Sequence, residues 1–435
     1  MLDPLIPLLG FFLLLAFFGA GLPIFVAFLL LDLAAILYFF GVTGLPMAVN
    51  SIFATATSGS LSSVPLFILM GEILFRSGTV DVMWRALDRL MGRFRGRTYV
   101  LTILLSTLFG AMSGSAVAVV AMMGRALVPS MRKSGCDDRL SAGVVMAGAN
   151  LAPIIPPSIV AIIIGSMAKV SIAGLLVAGI GPGLLIAAML VVYVLVRLRI
   201  DPRLVPQEAA APPQQGSIVQ ALLALAPFTL IVFSVLGLIL LGIATPSESA
   251  ATGVAASLLV AAAGRRLTLA NLFEAIGSSA RTASLLLVIM VASNLFSQLL
   301  AFTGVASGLV AWMEQLDLGY WGTFAVLMVV PLVLCMFVDQ IALLFILIPL
   351  YQPIVDLMGY DPIWFWMLFL VNLAIGSITP PFGYTLFAYR SAVPEMTLER
   401  IFSAIWPFVG IYLLGIGLMT AVPQIVTWLP SIANR

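Results

Sequence analysis

The sequence predicts an all-α polytopic membrane protein built from two inverted-topology repeats. Three observations predict it: an extreme apolar composition, a proline pattern that recurs after about 224 residues, and a lopsided distribution of arginine. Of 435 residues, 62% are hydrophobic and only 9% charged, far outside the range of soluble globular chains. Apolar runs long enough to cross roughly 30 Å of hydrocarbon occur throughout, as at 5–20, 174–196, 222–243, 282–302 and 402–422. The first lacks a basic start and a small-residue cleavage site, so it reads as a retained helix.

The repeat is carried by prolines. Pro129, Pro156 and Pro157 return 224 residues later as Pro353, Pro380 and Pro381. Pro4 and Pro23 return as Pro227 and Pro246, Pro182 returns as Pro407, and Gly135 and Asp137 return as Gly359 and Asp361. In a membrane chain such self-similarity points to a transporter whose site lies where the repeats meet.

Arginine and lysine collect on the cytoplasmic side of membrane proteins. Arg76, Arg85, Arg89, Arg93, Arg95 and Arg97 form one cluster; Arg132, Lys133 and Arg139 form the next. A single crossing over 98–128 would leave basic ends on opposite faces. A re-entrant hairpin, bent at the small polar stretch 110–116, keeps both on one face. The repeat partner, 322–352, bends near Met336–Gln340 and is flanked by acidic residues only, as an inverted repeat requires. Five crossings plus one hairpin per half follow. Arg197, Arg199 and Arg203 lead into a Pro- and Gln-rich cytoplasmic linker, 201–217. Arg265, Arg266 and Arg281 bracket a short amphipathic helix, and Arg125, Lys169 and Arg435 fall outside the cytoplasmic pattern. Stretches 80–92 and 305–317 carry apolar residues at helical spacing, as surface arms or as ordinary loop helices.

Composition also excludes chemistry. No histidine is present, which removes imidazole ligands, Ser-His catalysis and histidine proton relays. No P-loop occurs, and Cys136 and Cys335 show no metal-ligand spacing and read as free thiols. What remains is a pair of helix interruptions, 150–158 and 376–383, each with a Pro-Pro pair and each following a hairpin. Proline breaks the helix, and the released carbonyls are tolerated in a membrane only where protein, water or a cation meets them. Broken helices set negative C-terminal ends beside positive N-terminal ones, which suits a cation and an anionic ligand together. Ser113, Gly114 and Ser115 at the first tip, with Asp339, Ser377 and Thr379 in the second half, are the expected contacts for the ligand. Asp32 and Glu72 are expected near helix ends, and Arg125 inside the first hairpin has a functional and a structural reading of equal weight.

These segments resemble the large membrane subunit of tripartite ATP-independent periplasmic (TRAP) transporters, over essentially the whole chain. The resemblance rests on 65–71 (PLFILMG), 113–115 (SGS), 155–158 (IPPS), 178–183 (AGIGPG), 245–250 (TPSESA) and 376–383 (GSITPPFG). It implies a sodium-driven elevator carrier for organic anions, usually carboxylates, in the bacterial cytoplasmic membrane. A soluble periplasmic binding protein and a small four-helix membrane subunit are the implied partners, and no nucleic acid is. One sodium site is implied at Ser113, Ala152, Ile155 and Pro157, the last three mainly through carbonyls. The other joins Cys335 and Met336 to Gly376, Thr379 and Phe382. The family's Ser-Gly-Ser-Ser tip ends here in Ala116, and Ala152 and Cys335 stand where glycine is usual.

The expected organisation has scaffold helices and an arm at 1–92 and again at 218–318. Hairpins, broken helices and transport-domain helices occupy 93–200 and 319–435, on either side of the linker 201–217. Rival readings are an autonomous sodium–dicarboxylate symporter, an intramembrane serine hydrolase prompted by the SGS tip, and a non-transporting membrane scaffold.

Overall fold

The computed structural model describes residues 5–77, 79–91, 94–204, 218–264 and 268–433. These form helices and turns, with no strand among them. The first half runs α1 (Leu5–Gly19), α2 (Ile24–Phe39), α3 (Pro46–Ala56), α4 (Ser63–Arg76), α5 (Thr79–Leu90) and α6 (Arg97–Ser113). It continues with α7 (Ala116–Lys133), α8 (Asp138–Ala149), α9 (Ile159–Met167), α10 (Ile172–Ala178) and α11 (Ile180–Ile200). The second half opens with α12 (Ile218–Val232), which passes through a π-helical turn into α13 (Leu238–Leu240). Then follow α14 (Pro246–Ala263), α15 (Leu269–Phe302), α16 (Val305–Gln315), α17 (Gly319–Leu334) and α18 (Gln340–Met358). The chain closes with α19 (Pro362–Ile378), α20 (Tyr384–Ala392), α21 (Leu398–Ala421) and α22 (Gln424–Ala433). The runs α10–α11 and α12–α13, with α15, α18 and α21, are each long and apolar enough to cross a membrane.

Local sequence sets the same corner in both halves. Gly135 and Gly359 take left-handed φ values of 70° and 65°, which glycine adopts without steric cost. Two residues on, Asp137 and Asp361 cap α8 and α19, each accepting an amide at 2.8 Å from the residue three ahead. Each such cap contributes about 1 kcal/mol.

The halves interlock by exchange. Helix α2 packs on α15 of the second half, and its repeat counterpart α14 packs on α4 of the first. Likewise α7 packs on α20, and its counterpart α18 on α9. One group, α2–α5 with α12–α16, lies beside another, α6–α11 with α17–α22. They meet chiefly where α4 touches α6 and α9, and where α15 and α16 touch α18. Both expected arms are helices, α5 and α16.

Four expectations are corrected. Residues 269–302 form one unbroken helix instead of a short amphipathic helix before an apolar run, packed along its length on α2, α3 and α4. The first hairpin bends at Gly114 and Ser115 alone, since α6 stays helical to Ser113. The second interruption starts at Thr379, which leaves Gly376 and Ser377 in the last turn of α19. Asp32 lies in mid-helix, not near a helix end; Glu72 does sit in the last turns of α4, paired with Arg76. Of the linker, 205–217 lie outside the described residues, as do Arg93, Arg265, Arg266 and Arg435. Its start is a 3-10 turn, Pro202–Leu204, whose Leu204 carbonyl accepts the Tyr99 hydroxyl at 3.0 Å and the Asp137 amide at 3.1 Å.

Asp32 is fully buried, and neither carboxylate oxygen has a hydrogen-bond partner. One turn before it Phe28 meets Phe296 edge-on, and one turn after it Ile36 packs on Leu295 and Leu299. An orphaned buried polar group costs on the order of 1–3 kcal/mol. Asp32→Leu is therefore expected to raise the melting temperature of the purified protein; a clear fall in a thermal-unfolding scan would contradict this.

Candidate functional site

The first interruption spans Asn150 to Ser158, where both its ends were expected. Helix α8 stops at Ala149, and Ser158 starts α9 by accepting the Ala161 amide at 3.1 Å. Between them the Leu151 carbonyl takes the amides of Ile154 and Ile155, and the Ser158 hydroxyl donates to the Pro153 carbonyl. The Pro156–Pro157 bond is cis. Among the described residues, the carbonyls of Ala152, Ile155 and Pro157 accept no hydrogen bond. The first tip presses on this segment. A Cβ built on Gly110 would lie 2.8 Å from the Ala152 Cα, and one on Gly114 would lie 3.2 Å from Ile159 and 3.9 Å from the Pro157 carbonyl oxygen. Glycine is required at 114 doubly, since its φ is 61°. Ser115 caps α7 through the Ala118 amide at 3.4 Å; the side chain of Ser113 lies outside the described residues.

The second tip and break form the same contact with the residue types exchanged. A Cβ on Gly376 would lie 1.9 Å from the Cβ of Cys335. Position 376 is the counterpart of 152, and Cys335 stands against it as Gly110 stands against Ala152, so each half keeps one glycine at this crossing, on opposite partners. Phe337 and Phe382 place their rings 6.0 Å apart across the same junction. The Pro380–Pro381 bond is again cis. Here the carbonyls of Gly376 and Thr379 are taken by the amides of Thr379 and Gly383, while those of Cys335, Met336 and Phe382 accept none. The Thr379 hydroxyl donates to the Ile375 carbonyl at 2.7 Å and keeps its lone pairs. Asp339, counterpart of Ser115, caps α18: its Oδ1 accepts the amides of Ile341 and Ala342 at 2.9 and 3.3 Å.

The two breaks are tied together by Asn150. Its amide nitrogen donates to the Ala374 carbonyl at 2.9 Å, and its oxygen accepts the Ser377 hydroxyl at 2.7 Å. Ala374 lies 224 residues after Asn150, so the halves touch at positions matched by the sequence recurrence. Tyr384, the first residue of α20, lies within electrostatic reach of Ser377, Asp339 and Cys335. The Ser377 carbonyl accepts the Thr385 hydroxyl at 2.6 Å, and the Ala147 carbonyl accepts that of Tyr412 at 2.7 Å. The structure thus brings Gly114 to Pro157, Cys335 to Gly376, and Ser377 to Asn150. At the first tip, the neighbours of Gly114 are Ile159 and Pro157.

Asn150, Tyr384 and Thr385 are site residues that sequence reasoning left out. Asn150 carried a signal, a carboxamide opening a helix break inside an apolar stretch. Tyr384 and Thr385 carried none. The arrangement as a whole offers uncommitted carbonyls at the ends of broken helices and the N-termini of α7, α9, α18 and α20, with no basic residue in the sequence of either tip or break. Oxygens of this kind suit a dehydrated monovalent cation, and helix N-termini suit an anion.

Arg125 lies outside this cluster, exposed on α7, its Nε donating to the Ala121 carbonyl at 3.2 Å. Gly376→Ala is expected to lose on the order of 1–3 kcal/mol by overpacking. Adding Cys335→Gly, which recreates the Gly110–Ala152 arrangement, is expected to recover most of it. Melting curves of the single and double variants check this, and no recovery in the double variant would refute the equivalence.

Comparison with known proteins agrees with the architecture. Residues 9–425 match the family "Tripartite ATP-independent periplasmic transporter, DctM component". The chain is 31% identical over 418 residues to the ectoine TRAP transporter large permease protein TeaC of Halomonas elongata, covering 95% of this chain and 96% of that one. It is 30% identical over 381 residues to the C4-dicarboxylate TRAP transporter large permease protein DctM of Pseudomonas aeruginosa, covering 87% and 88%. In fold it is similar to the crystal structure of the Alcanivorax borkumensis YdaH transporter, with TM-score 0.66, 16% identity and 90% and 91% coverage. A histidine-free helical chain with paired tips and breaks, matched over nearly its full length, belongs to the DctM family of TRAP transporter large permease subunits, integral inner-membrane transport proteins and not enzymes.

Proposed function

We propose that this chain imports an organic anion, a carboxylate, driven by sodium ions that enter with it. The observation that carries this reading is the pairing of each hairpin tip with a broken helix whose carbonyls lack donors. In the first half the sodium ligands would be Ser113 with the carbonyls of Ala152, Ile155 and Pro157. In the second they would be the carbonyls of Cys335, Met336 and Phe382 with the Thr379 hydroxyl. Gly376 contributes by letting Cys335 approach, since its own carbonyl is already used. The anion would lie against Ser113, Gly114, Ser115 and the Ser377–Thr379 turn. Its negative charge would be met by helix N-termini and by the sodium ions rather than by a basic side chain. Asp339 serves as the cap that shapes the second tip.

The relatives named for ectoine and C4-dicarboxylate transport support a carboxylate cargo. In this reading α2–α5 and α12–α16 are the scaffold. The hairpins, broken helices and their flanking helices, α6–α11 and α17–α22, move as one body carrying both sites across the membrane. No large soluble domain exists among the described residues to capture dilute substrate, so a periplasmic binding protein delivers it. A small four-helix membrane subunit braces the scaffold's exposed apolar faces.

The test is uptake of labelled dicarboxylates into proteoliposomes under an inward sodium gradient, with and without the candidate partners. Uptake that needs sodium and both partners is the expected result. Uptake by this chain alone would replace it with an autonomous symporter, and sodium-independent uptake would remove the coupling. Ser113→Ala and Thr379→Ala are each expected to raise the half-saturating sodium concentration about tenfold, the equivalent of roughly 1.4 kcal/mol. Asn150→Ala, which unties the breaks without touching a proposed ligand, is expected to lower the maximal rate while leaving sodium affinity within about twofold, the equivalent of roughly 0.4 kcal/mol. A tenfold sodium shift in Asn150→Ala would mean that the amide itself belongs to the ion site.

A further inference from the structure

We propose that the arginine-rich end of α8 and α21 is a second anion site, one that takes a small oxyanion: a di- or tricarboxylate or a phosphate group. A recess of about 450 Å³ lies there, lined by Arg132, Cys136, Asp137, Asp138, Arg139 and Arg400. Its acidic groups are already engaged. Asp138 and Glu395 hold Arg132 at 2.7 and 3.2 Å, and Asp137 caps α8. Arg139 and Arg400 are exposed, and neither pairs with a carboxylate among the described residues. Two free guanidinium forks thus face one polar recess, and their planar donor geometry matches carboxylate and phosphate. The N-terminal turns of α8 and α21 open at the same place and add positive potential. Glu399, beside Arg400, is the remaining acid at the rim.

The position gives the site a role. Helix α8 runs from this recess to Asn150 at the first break. Along the way it is gripped by α21, through Phe408 against Gly143 and the Tyr412 hydroxyl on the Ala147 carbonyl. An anion bound at the cytoplasmic end therefore braces the helix pair that leads to the breaks, and slows uptake when internal product is abundant. This role rests on the transport reading above; the binding does not.

Cys136 supplies a readout without transport. Burial, with Asp137 alongside, pushes its thiol up to about 11, so alkylation is slow enough to follow. Purified full-length protein is treated with a neutral maleimide in inorganic phosphate, succinate or dihexanoylphosphatidylglycerol, and Cys136 and Cys335 are quantified by mass spectrometry. The expected result is at least fivefold protection of Cys136 with Cys335 unchanged, lost in R139Q/R400Q and kept in R139K/R400K. Protection by the lipid alone assigns the oxyanion to a headgroup; protection by succinate or phosphate assigns it to a soluble anion. No protection by any probe, or equal protection in R139Q/R400Q, overturns the site. Should the double variant not fold, R400Q alone, on an exposed first turn, makes the same comparison. Succinate trapped inside proteoliposomes is expected to slow uptake at least threefold in the wild type and not in R400Q. Equal slowing in both overturns the regulatory role.

Discussion

A peptide carbonyl finds no donor in hydrocarbon, and this constraint organises the rest of the molecule. A helix can be interrupted inside a membrane only where something else meets the freed oxygens. Here each interruption is covered by a hairpin tip, so close that Gly110 and Gly376 have no room for a methyl group. The tips need glycine and a capping side chain in order to bend, and Gly114 with Ser115, and Asp339, supply them. The carbonyls left over at Ala152, Ile155 and Pro157, and at Cys335, Met336 and Phe382, are therefore concentrated at two places. They are a consequence of breaking helices where water is scarce, and they are also what a cation site is made of.

The repeat explains why there are two such places and why they are not copies. Exchange packing of α2 on α15 and α14 on α4, and of α7 on α20 and α18 on α9, makes neither half a free-standing unit. At the centre the contact is asymmetric: Asn150 meets the backbone of its own counterpart, Ala374, and reaches on to Ser377. A carboxamide at both positions would set two side chains at one contact; one carboxamide and one alanine fit. The same logic exchanges glycine between tip and break, and serine for aspartate at the two caps. Symmetry sets the frame, and the departures from it decide which atoms remain available.

Much of this was legible in the sequence, for definable reasons. Pro-Pro pairs act through local backbone chemistry, so the first break falls where expected and the second begins three residues later than expected. The two turns between α6 and α7 and between α17 and α18 lie within or beside the polar stretches expected to bend, 110–116 and 336–340. What escaped depends on contacts distant in the chain. Nothing local says that 269–302 stays unbroken while its counterpart is split between α3 and α4; packing against α2, α3 and α4 decides it. Nothing local places Tyr384 within electrostatic reach of Asp339, or tells that the carbonyls of Gly376 and Thr379 are consumed by the turn that ends α19. Asp32 defies the expectation that an intramembrane acid seeks a helix end: it lies in mid-helix, buried without a hydrogen-bond partner.

Charge is distributed in a way that joins these parts. The tips and breaks hold no basic side chain, and the one acid there, Asp339, spends an oxygen on two amides. Guanidinium groups instead crowd the end where α8 and α21 begin, engaged as Arg132 is or open as Arg139 and Arg400 are. A fixed arginine in the membrane interior would be costly and would hold an anion too firmly to release it. Helix termini and mobile cations give attraction that disappears when the cation leaves. In the reading proposed here, an anion is bound only in the company of sodium and is freed toward a surface already rich in positive charge, while the sodium gradient sets the direction of net flux.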